Sequence, residues 1–323
     1  MPIIYLYCMK WCLIPIIVFF VGCGKEKISL TALREIQMPV QEDISAVWFS
    51  DESNGLACGG TAWKSGFILS TQDGGETWNT DTILNRKMEH ISSSPNGQAY
   101  ACGQDFMLFR SPGEERWQIL RQDFQWLRCA HFPADNFGAV VSGEGYHSGQ
   151  LRVFGPDQFW QHDTLHEVAG ELEAVWYANP SEILAVGTGW VIRSDDAGKS
   201  WERLHLTGDF YTSVHFPSEQ TGYICGNTGD ILKTTDAGKN WVTLRKGGTS
   251  GKRNKCFKAI WFTDDLNGWL VGNNGIFWHT NDGAESWQQV EAVPSNADFT
   301  DVFVLNGKGW ATAAGGRLFV FEK

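Results

Sequence analysis

The sequence has little basic charge and no long helical periodicity. Its 323 residues include 26 Lys and Arg against 37 Asp and Glu, for a net charge of −11. Binding to nucleic acid phosphates needs a dominant basic surface, so this balance argues against nucleic acid as the partner. The chain instead has 36 glycines and 16 tryptophans, which favour tight turns and short strands. The composition therefore predicts an all-β protein.

The N-terminus has the pattern of an export signal. Lys10 precedes the apolar run Trp11–Gly22, which is too short for a comfortable membrane-spanning helix. The residues up to Cys23 resemble a loose version of the bacterial lipoprotein signal, in which this cysteine becomes the lipidated N-terminus. We therefore expect a lipoprotein-type signal peptide over 1–22, lipidation of Cys23, and a tether over 23–27 held at a membrane by acyl chains. An ordinary secretory signal or an uncleaved anchor is the alternative.

Three of the later cysteines fall at a position that valine fills elsewhere in the chain. Cys58, Cys102 and Cys225 each precede a glycine at the end of an apolar segment, and Val186 and Val271 occupy the same place in two similar segments. A cysteine that exchanges with valine acts as a small hydrophobic residue. We expect these three cysteines to be reduced, buried and too far apart to form disulfides.

An eight-residue motif, S/T-x-D-x-G-x-x-W, recurs along the chain. Aligned on the tryptophan, the units are close to forty residues long, which is the length of a four-stranded propeller blade. They end at Trp78, Trp117, Trp160, Trp201, Trp241 and Trp287. A seventh unit, Thr300–Lys323, stops after its third strand.

The missing strand of the last unit has a candidate at the other end of the chain. Residues Ile28–Met38 have strand character, and pairing at the outer edge of the last blade would cover two unpaired strand edges. The sequence therefore predicts one domain over 28–323. Its predicted fold is a seven-bladed β-propeller of four-stranded blades, closed by the N-terminal strand.

The motif residues are predicted to fasten the blades. Its aspartate should accept hydrogen bonds from backbone N–H groups in the turn between the third and fourth strands. Gly75, Gly198 and Gly238 supply a left-handed backbone conformation, and the tryptophan packs between adjacent sheets. The motif residues are Asp73, Trp78, Asp196, Trp201, Asp236, Trp241, Asp282 and Trp287.

These octets are similar to Asp boxes, the motif shared by sialidases, sortilin-like receptors and photosystem II stability/assembly factor-like propellers. The last family resembles the chain most, through segments such as FPSEQTGYICGNTGDI (Phe216–Ile231) and FTDDLNGWLVGNNGIF (Phe262–Phe277). The resemblance implies the propeller fold. It implies little about function, because Asp boxes occur on propellers with unrelated tasks.

An enzymatic role of the sialidase type lacks its central residues. That chemistry needs three arginines around the sugar carboxylate, one of them in an R-I-P sequence that this chain does not contain. Arg110, Arg193 and Arg317 lie on predicted third strands rather than in rim loops. We therefore expect no catalytic residues and no cofactor. The alternative is cell-surface carbohydrate binding or a sialidase-like glycoside hydrolase.

Three insertions into the repeat are predicted to lie on one face of the ring, where recognition residues are expected. They combine aromatic side chains with a basic patch, which would suit an acidic protein surface. Simple solvation of glycine-rich basic loops is the alternative. The candidate partner-binding residues are Trp63, Lys64, Tyr146, His147, Lys246, Lys252, Arg253 and Lys255.

Two other groups of side chains have a structural and a functional interpretation. Aromatic residues at an equivalent inner-strand position either border the central channel and bind a ligand or, more simply, pack between blades; they are Trp48, His131, Trp176, His215 and Trp261. His162 and His166 have a spacing that suits zinc on a helix, but no further ligands accompany them, and no metal site is predicted.

These expectations combine into one prediction of function. The protein is predicted to be a monomeric, non-catalytic scaffold or assembly factor of the bacterial cell envelope. It is expected to be anchored through Cys23 at the outer membrane and to bind an envelope protein.

Overall fold

The computed structural model describes residues 27–135, 137–144, 148–155, 160–163, 170–206, 208–248 and 255–323. These residues form strands and turns, and no helix among them is long and apolar enough to cross a membrane. The predicted signal peptide and Cys23 lie outside the described residues. The all-β prediction is confirmed for the described part of the chain.

The described residues form 27 strands. They are β1 (Lys27–Ile28), β2 (Ala32–Gln37), β3 (Ile44–Phe49), β4 (Gly55–Thr61), β5 (Ser65–Thr71), β6 (Asn79–Leu84), β7 (Met88–Ser93), β8 (Ala99–Arg110), β9 (Gln118–Ala134), β10 (Phe137–Glu144), β11 (Ser148–Phe154), β12 (Trp160–Asp163), β13 (Leu172–Tyr177), β14 (Ile183–Gly187), β15 (Trp190–Ser194), β16 (Glu202–Leu204), β17 (Tyr211–His215), β18 (Gly222–Gly226), β19 (Ile231–Thr234), β20 (Val242–Arg245), β21 (Phe257–Phe262), β22 (Gly268–Gly272), β23 (Ile276–Thr280), β24 (Gln288–Val290), β25 (Phe299–Leu305), β26 (Lys308–Ala313) and β27 (Arg317–Glu322).

The strands form a β-propeller of six sheets. Three sheets have four consecutive strands: β3–β6, β13–β16 and β17–β20. Strands β7–β12 form one six-stranded sheet. The fifth sheet contains β21–β24 with β1 at its outer edge, and the sixth contains β25–β27 with β2. The prediction of seven separate four-stranded blades is therefore wrong: counted as hydrogen-bonded sheets, there are six.

The difference arises from one long strand. Strand β9 has 17 residues, and its first part, from Gln118 to Trp126, pairs with β8. Its last part, from Leu127 to Ala134, pairs with β10. The predicted outer strand of the second unit and inner strand of the third unit are thus one continuous strand.

Seven strand segments surround the central axis, because the six-stranded sheet contributes two of them. The ring consists of β3, β7, the last part of β9, β13, β17, β21 and β25; each contacts the next, and β25 contacts β3. We call the face at which these inner strands begin the connection face, and the face at which they end the Asp-box face.

The N-terminal strand closes the ring as predicted. Strand β2 pairs antiparallel with β27 over its whole length, from Ala32 opposite Glu322 to Gln37 opposite Arg317. The sequence did not predict β1, which pairs parallel with β24 through Lys27 and Ile28. The first described residues therefore hold the outer edges of two neighbouring sheets.

Each Asp box has the predicted turn, together with a second polar residue that the sequence analysis missed. In the first box, Asp73 Oδ1 accepts the backbone N–H of Thr77 at 2.9 Å and the Thr71 hydroxyl at 2.8 Å. The Thr71 hydroxyl oxygen in turn accepts the N–H of Gly75 at 3.1 Å. The same pattern recurs around Asp196, Asp236 and Asp282.

The box turns also contact the preceding sheet. Gly238 has a positive φ of 82°, and a Cβ atom there would lie 2.6 Å from Leu184 in the neighbouring sheet. The Trp241 indole donates to the Gly238 carbonyl at 3.0 Å and packs against the same core. The left-handed backbone and the close approach of two sheets thus both favour glycine at this position, although Ala284 adopts the same conformation, with φ 73°, in the Asp282 box. The interpretation of the motif as a fastener is consistent with these contacts.

The cysteines act as core residues. Cys58, Cys102 and Cys225 are fully buried free thiols within the apolar clusters between strands. Burial raises the pKa of the Cys225 thiol to about 12, which keeps it protonated and unreactive.

Replacing a box aspartate should destabilise the fold. In Asp236→Ala the Asn240 N–H and the Thr234 hydroxyl lose their acceptor, and we expect a loss of about 1–2 kcal/mol in the free energy of unfolding. Thermal denaturation of the wild type, Asp236→Ala and the matched variant Asp236→Asn measures this loss of stability. An unchanged melting temperature in Asp236→Ala would contradict the fastener interpretation.

Acid should weaken the same turns. The Thr77 hydroxyl and N–H lower the pKa of Asp73 to about 2, and Ser200 does the same for Asp196. Because unfolded aspartate has a pKa of about 3.9, this stabilisation is complete above about pH 4 and is lost as the pH falls through about 2. Urea unfolding between pH 5 and pH 2 should show a fall in the free energy of unfolding, and the fall should be smaller in Asp196→Asn. An equal fall in the two proteins would show that Asp196 does not stabilise the turn through its charge.

Candidate functional site

All seven inner strands carry a β-bulge at the same position, one residue into the strand. In β3, for example, Ile44 pairs with Gly59 and Ala46 with Cys58, so Ser45 is an extra residue with no partner in β4. A bulge redirects one side chain without ending the strand. The bulged residues line the connection-face end of the channel; in ring order they are Ser45, Glu89, Arg128, Glu173, Thr212, Lys258 and Thr300. We call this set the bulge ring.

The glycine that ends most second strands makes room for the bulge. A Cβ atom at Gly187 would lie 1.9 Å from the carbonyl oxygen of Glu171, and one at Gly272 would lie 2.1 Å from that of Cys256. These carbonyls belong to the segments that lead into the inner strands. Each accepts the backbone N–H of the residue that follows the glycine, as in the bond from Thr188 N–H to the Glu171 carbonyl at 2.9 Å. The recurring V/C-G sequence is therefore a signal of the bulge.

A layer of aromatic side chains closes the channel below the bulge ring. The aromatic residues at the equivalent inner-strand position, together with Phe303, border the channel rather than only packing between blades. The ring centroids of His131 and Trp176 are 3.9 Å apart, and those of Trp261 and Trp48 are 6.0 Å apart across the layer. The same side chains line a cavity of about 310 Å³ on the connection face and one of about 450 Å³ on the Asp-box face. The aromatic layer therefore separates two cavities.

Polar side chains join neighbouring inner strands, which do not pair with each other. His131 Nδ1 accepts the backbone N–H of Tyr177 at 2.9 Å, and Thr212 donates to the Phe257 carbonyl at 3.1 Å. Burial lowers the pKa of His131 to about 3, so its ring is neutral and can accept this bond. The channel histidines thus have a structural role.

The connection-face cavity is charged. Glu89 receives a hydrogen bond from the Trp126 indole at 2.6 Å and an ion pair from Lys87 at 2.9 Å. Arg128 lies 3.9 Å from Glu89 and 3.0 Å from Glu171, with its guanidinium 4.1 Å from the Trp126 ring centre. This network occupies one side of the ring.

A carboxyl group lies where the ring closes. Asp301 lines the cavity and accepts the N–H of Val47 from β3 at 3.0 Å and that of Val302 at 2.9 Å. Burial raises the pKa of Asp301 to about 7, although these two N–H groups act in the opposite direction. Burial also raises the pKa of Glu173, as does the adjacent Glu171.

One pair of predicted partner-binding residues lies beside this cavity. Trp63 is 54% exposed, has a positive φ of 59°, and donates its backbone N–H to Gln104 at 2.7 Å. Its ring contacts Trp126 at 5.9 Å, next to Arg128. Lys64 is exposed in the same turn.

The other predicted residues do not join that pair. Lys246 forms an ion pair with Asp230 at 3.0 Å, and Lys255 lies 5.2 Å from the Trp278 ring centre. Both are engaged within the fold, on sheets that do not adjoin the sheet of Trp63. Four further predictions, Tyr146, His147, Lys252 and Arg253, lie outside the described residues.

The arginines considered for sialidase chemistry, Arg110, Arg193 and Arg317, do not line the connection-face cavity. Arg110 forms an ion pair with Asp81 at 2.5 Å, and Arg193 pairs with Glu202 at 2.8 Å. The described residues contain no cluster of three or more histidine, cysteine or acidic side chains that could hold a metal ion. His162 lies in β12, and His166 lies outside the described residues.

Comparison with known proteins agrees with the architecture. Residues 204–298 match the family model of photosynthesis system II assembly factor YCF48. This segment contains β17–β24, and the match supports the predicted resemblance to photosystem II assembly factor-like propellers. No curated protein sequence matches the chain.

Solved structures show the same fold. A YCF48 structure with a D1 peptide bound aligns over 93% of this chain and 100% of its own, with a TM-score of 0.70 and 18% identity. YCF48 from Cyanidioschyzon merolae aligns over 90% and 99%, with a TM-score of 0.70 and 17% identity. A streptogramin B lyase aligns over 90% and 97%, with a TM-score of 0.74 and 12% identity. These likenesses establish the propeller fold and nothing finer.

Asp301 should make the protein less stable as the pH rises toward neutrality. Its folded pKa of about 7 exceeds the unfolded value of about 3.9, so its contribution is complete below about pH 4 and is lost as the pH rises through about 7. The free energy of unfolding should fall between pH 4.5 and pH 7.5, and by less in Asp301→Asn.

Urea unfolding at the two pH values measures this difference. The exposed-site variant Glu219→Gln serves as the control and should keep the wild-type fall. An equal fall in Asp301→Asn would show that Asp301 does not titrate in this range.

Proposed function

We propose that the protein is a non-catalytic scaffold of the bacterial cell envelope that binds a segment of another protein at its connection face. The observation that carries this proposal is the charged cavity inside the bulge ring, with the exposed Trp63 beside it. The family match at 204–298 supports it, as does the existence of a related fold solved with a peptide bound.

The physical features of the face suit a protein segment. A cavity of about 310 Å³ is at the lower end of ligand-pocket sizes, which fits one or two residues of an inserted chain. Trp63 and Trp126 provide an aromatic surface at its edge, and aromatic residues contribute strongly to protein interfaces. The non-Gly left-handed backbone at Trp63 costs free energy, and such strain is concentrated at functional positions.

The membrane anchor remains part of the proposal. Strand β1 runs parallel to β24, which runs from the Asp-box face to the connection face, so the chain enters Lys27 from the Asp-box side. Cys23 is four residues earlier, within about 14 Å of chain. An acyl chain there would attach at the Asp-box side and leave the connection face turned away from the membrane.

The carbohydrate alternative receives less support. Arg110 and Arg193 are engaged by carboxylates outside the cavity, and Arg128 is held by Glu171 and Glu89 rather than presented with other arginines. A sugar carboxylate would need several convergent arginines. A binding role toward protein therefore accounts better for the arrangement.

Site-specific photocrosslinking tests the proposed face. A photoreactive phenylalanine derivative replaces Lys64 on the connection face or Lys199 in an Asp box, both exposed lysines. In cells, irradiation should give a discrete protein adduct from position 64 and not from position 199. Adducts from position 199 alone, or from neither position, would contradict the proposal.

A further inference from the structure

The acidic side of the bulge ring has three carboxyl groups and two cations. Glu89, Glu171 and Glu173 face two cations, Lys87 and Arg128. Lys87 pairs with Glu89, and Arg128 is shared between Glu89 and Glu171. The hydrogen bond between Glu173 and Glu171 requires one proton, so the two carboxyl groups share one negative charge next to the Arg128 guanidinium.

On β21, two inner strands from Glu173 on β13, lies a cation that has no countercharge among the residues that the structure describes. Lys258 is the bulged residue of β21, half-buried and lining the cavity, and within the described part of the chain it forms no hydrogen bond or ion pair. Its neighbours in the ring are Thr212 and Thr300, whose hydroxyls donate to backbone carbonyls. Ser45, the next member, has a buried hydroxyl oxygen without a partner among the described residues.

The two remaining acids of the cavity wall are already occupied. Asp301 accepts N–H groups of Val47 and Val302, and Asp43 accepts the N–H of Gly315 at 3.0 Å. They therefore do not compensate Lys258 by direct contact. The ammonium on one side and the carboxyl pair on the other are left as separated charges, with Thr212 of β17 between their strands.

We propose that the connection-face cavity binds a ligand that carries both charges, with its carboxylate at Lys258 and its ammonium or guanidinium group at Glu173, the member of the Glu171–Glu173 pair that lines the cavity. This inference rests on the proposed function and specifies the chemistry of the client segment.

Charge balance favours such a ligand over one with a single charge. Glu171 and Glu173 can release their shared proton when a cation binds, whereas Lys258 has no carboxylate in contact with it among the described residues. A simple anion would pair with Lys258 but would leave the carboxyl pair without a bound cation. A simple cation would bind the carboxyl pair but would leave Lys258 without an anion. A ligand with both groups satisfies both ends, and charge-assisted hydrogen bonds in a partly buried site are the strong ones.

NMR of the full mature chain, labelled with ¹³C at lysine Cε, tests this proposal. The Lys258 signal is assigned with Lys258→Gln. The probes are glycylglycine, which carries both charges, N-acetylglycylglycine, which lacks the ammonium, and glycylglycinamide, which lacks the carboxylate. We expect saturable shifts of the Lys258 signal with glycylglycine and at least about tenfold weaker binding of each capped form. Equal affinity for all three, or no saturable shift, would overturn the proposal.

Two variants and a second probe locate the contacts and the source of the charges. In Glu173→Gln the preference for glycylglycine over its N-acetyl form should disappear, whereas Lys64→Gln, outside the bulge ring, should keep it. Persistence of the preference in Glu173→Gln would place the cation elsewhere and overturn the assignment. The peptide acetyl-Gly-Lys-Gly-Glu-Gly-amide carries only side-chain charges; tighter binding of this peptide than of glycylglycine identifies side chains of a client segment, and the reverse identifies a chain terminus.

The result of the NMR titration can be distinguished from the result of the crosslinking experiment that tests the proposed function. Small probes report only on the chemistry of the cavity, whereas the adduct at position 64 reports on a client at this face. A client adduct without probe binding would overturn this inference alone, and probe binding without an adduct would overturn the proposed envelope client alone.

Discussion

The inner strands surround an axis and cannot pair with one another, so each has one edge of backbone groups without a strand partner. The structure meets this constraint with side chains: Thr212 and Thr300 bond to carbonyls of the next inner strand, and His131 and Asp301 accept N–H groups from it. Buried backbone groups need such partners. Much of the polarity of the channel is therefore required by the fold itself.

The bulges separate this structural requirement from recognition. Each bulge leaves the pairing of its strand intact on both sides and directs one residue toward the cavity. Because that residue pairs with nothing in its own sheet, the strand ladder does not fix its identity: Thr212 bonds to the next inner strand, whereas Glu173 contacts Glu171. A threonine, a glutamate and a lysine occupy the same position at Thr212, Glu173 and Lys258, which shows how one scaffold can present different chemistry in each strand.

Sequence patterns predicted what depends on local chemistry and missed what depends on pairing. The boxes around Asp73 and Asp236 and the closure by β2 followed from motif and repeat length. The shared strand β9 did not, because no box turn marks a boundary after Trp117 and continuity of a strand depends on its neighbours. The bulges were also missed, since a register shift is a relation between two strands, although the V/C-G pattern marked them.

The candidate site was predicted only at its edge, for the same reason. Trp63 and Lys64 stood out as an interruption of the repeat, whereas Lys258 and Glu173 lie inside strands that look like their neighbours. The sequence identified Lys246 and Lys255 only as basic residues of one loop. The ion pair of Lys246 with Asp230 and the contact of Lys255 with the Trp278 ring form only in the folded chain.

The pairing of β2 with β27 also sets an order of events. Residues 32–37 pair with residues 317–322, so they have no strand partner until the last sheet of the ring has formed. The pairing of β2 with β27 joins residues that are far apart in sequence, and contacts of this kind slow folding. The ring therefore closes only when β2 and β27 meet, and until then the β27 side of the last sheet keeps an open strand edge.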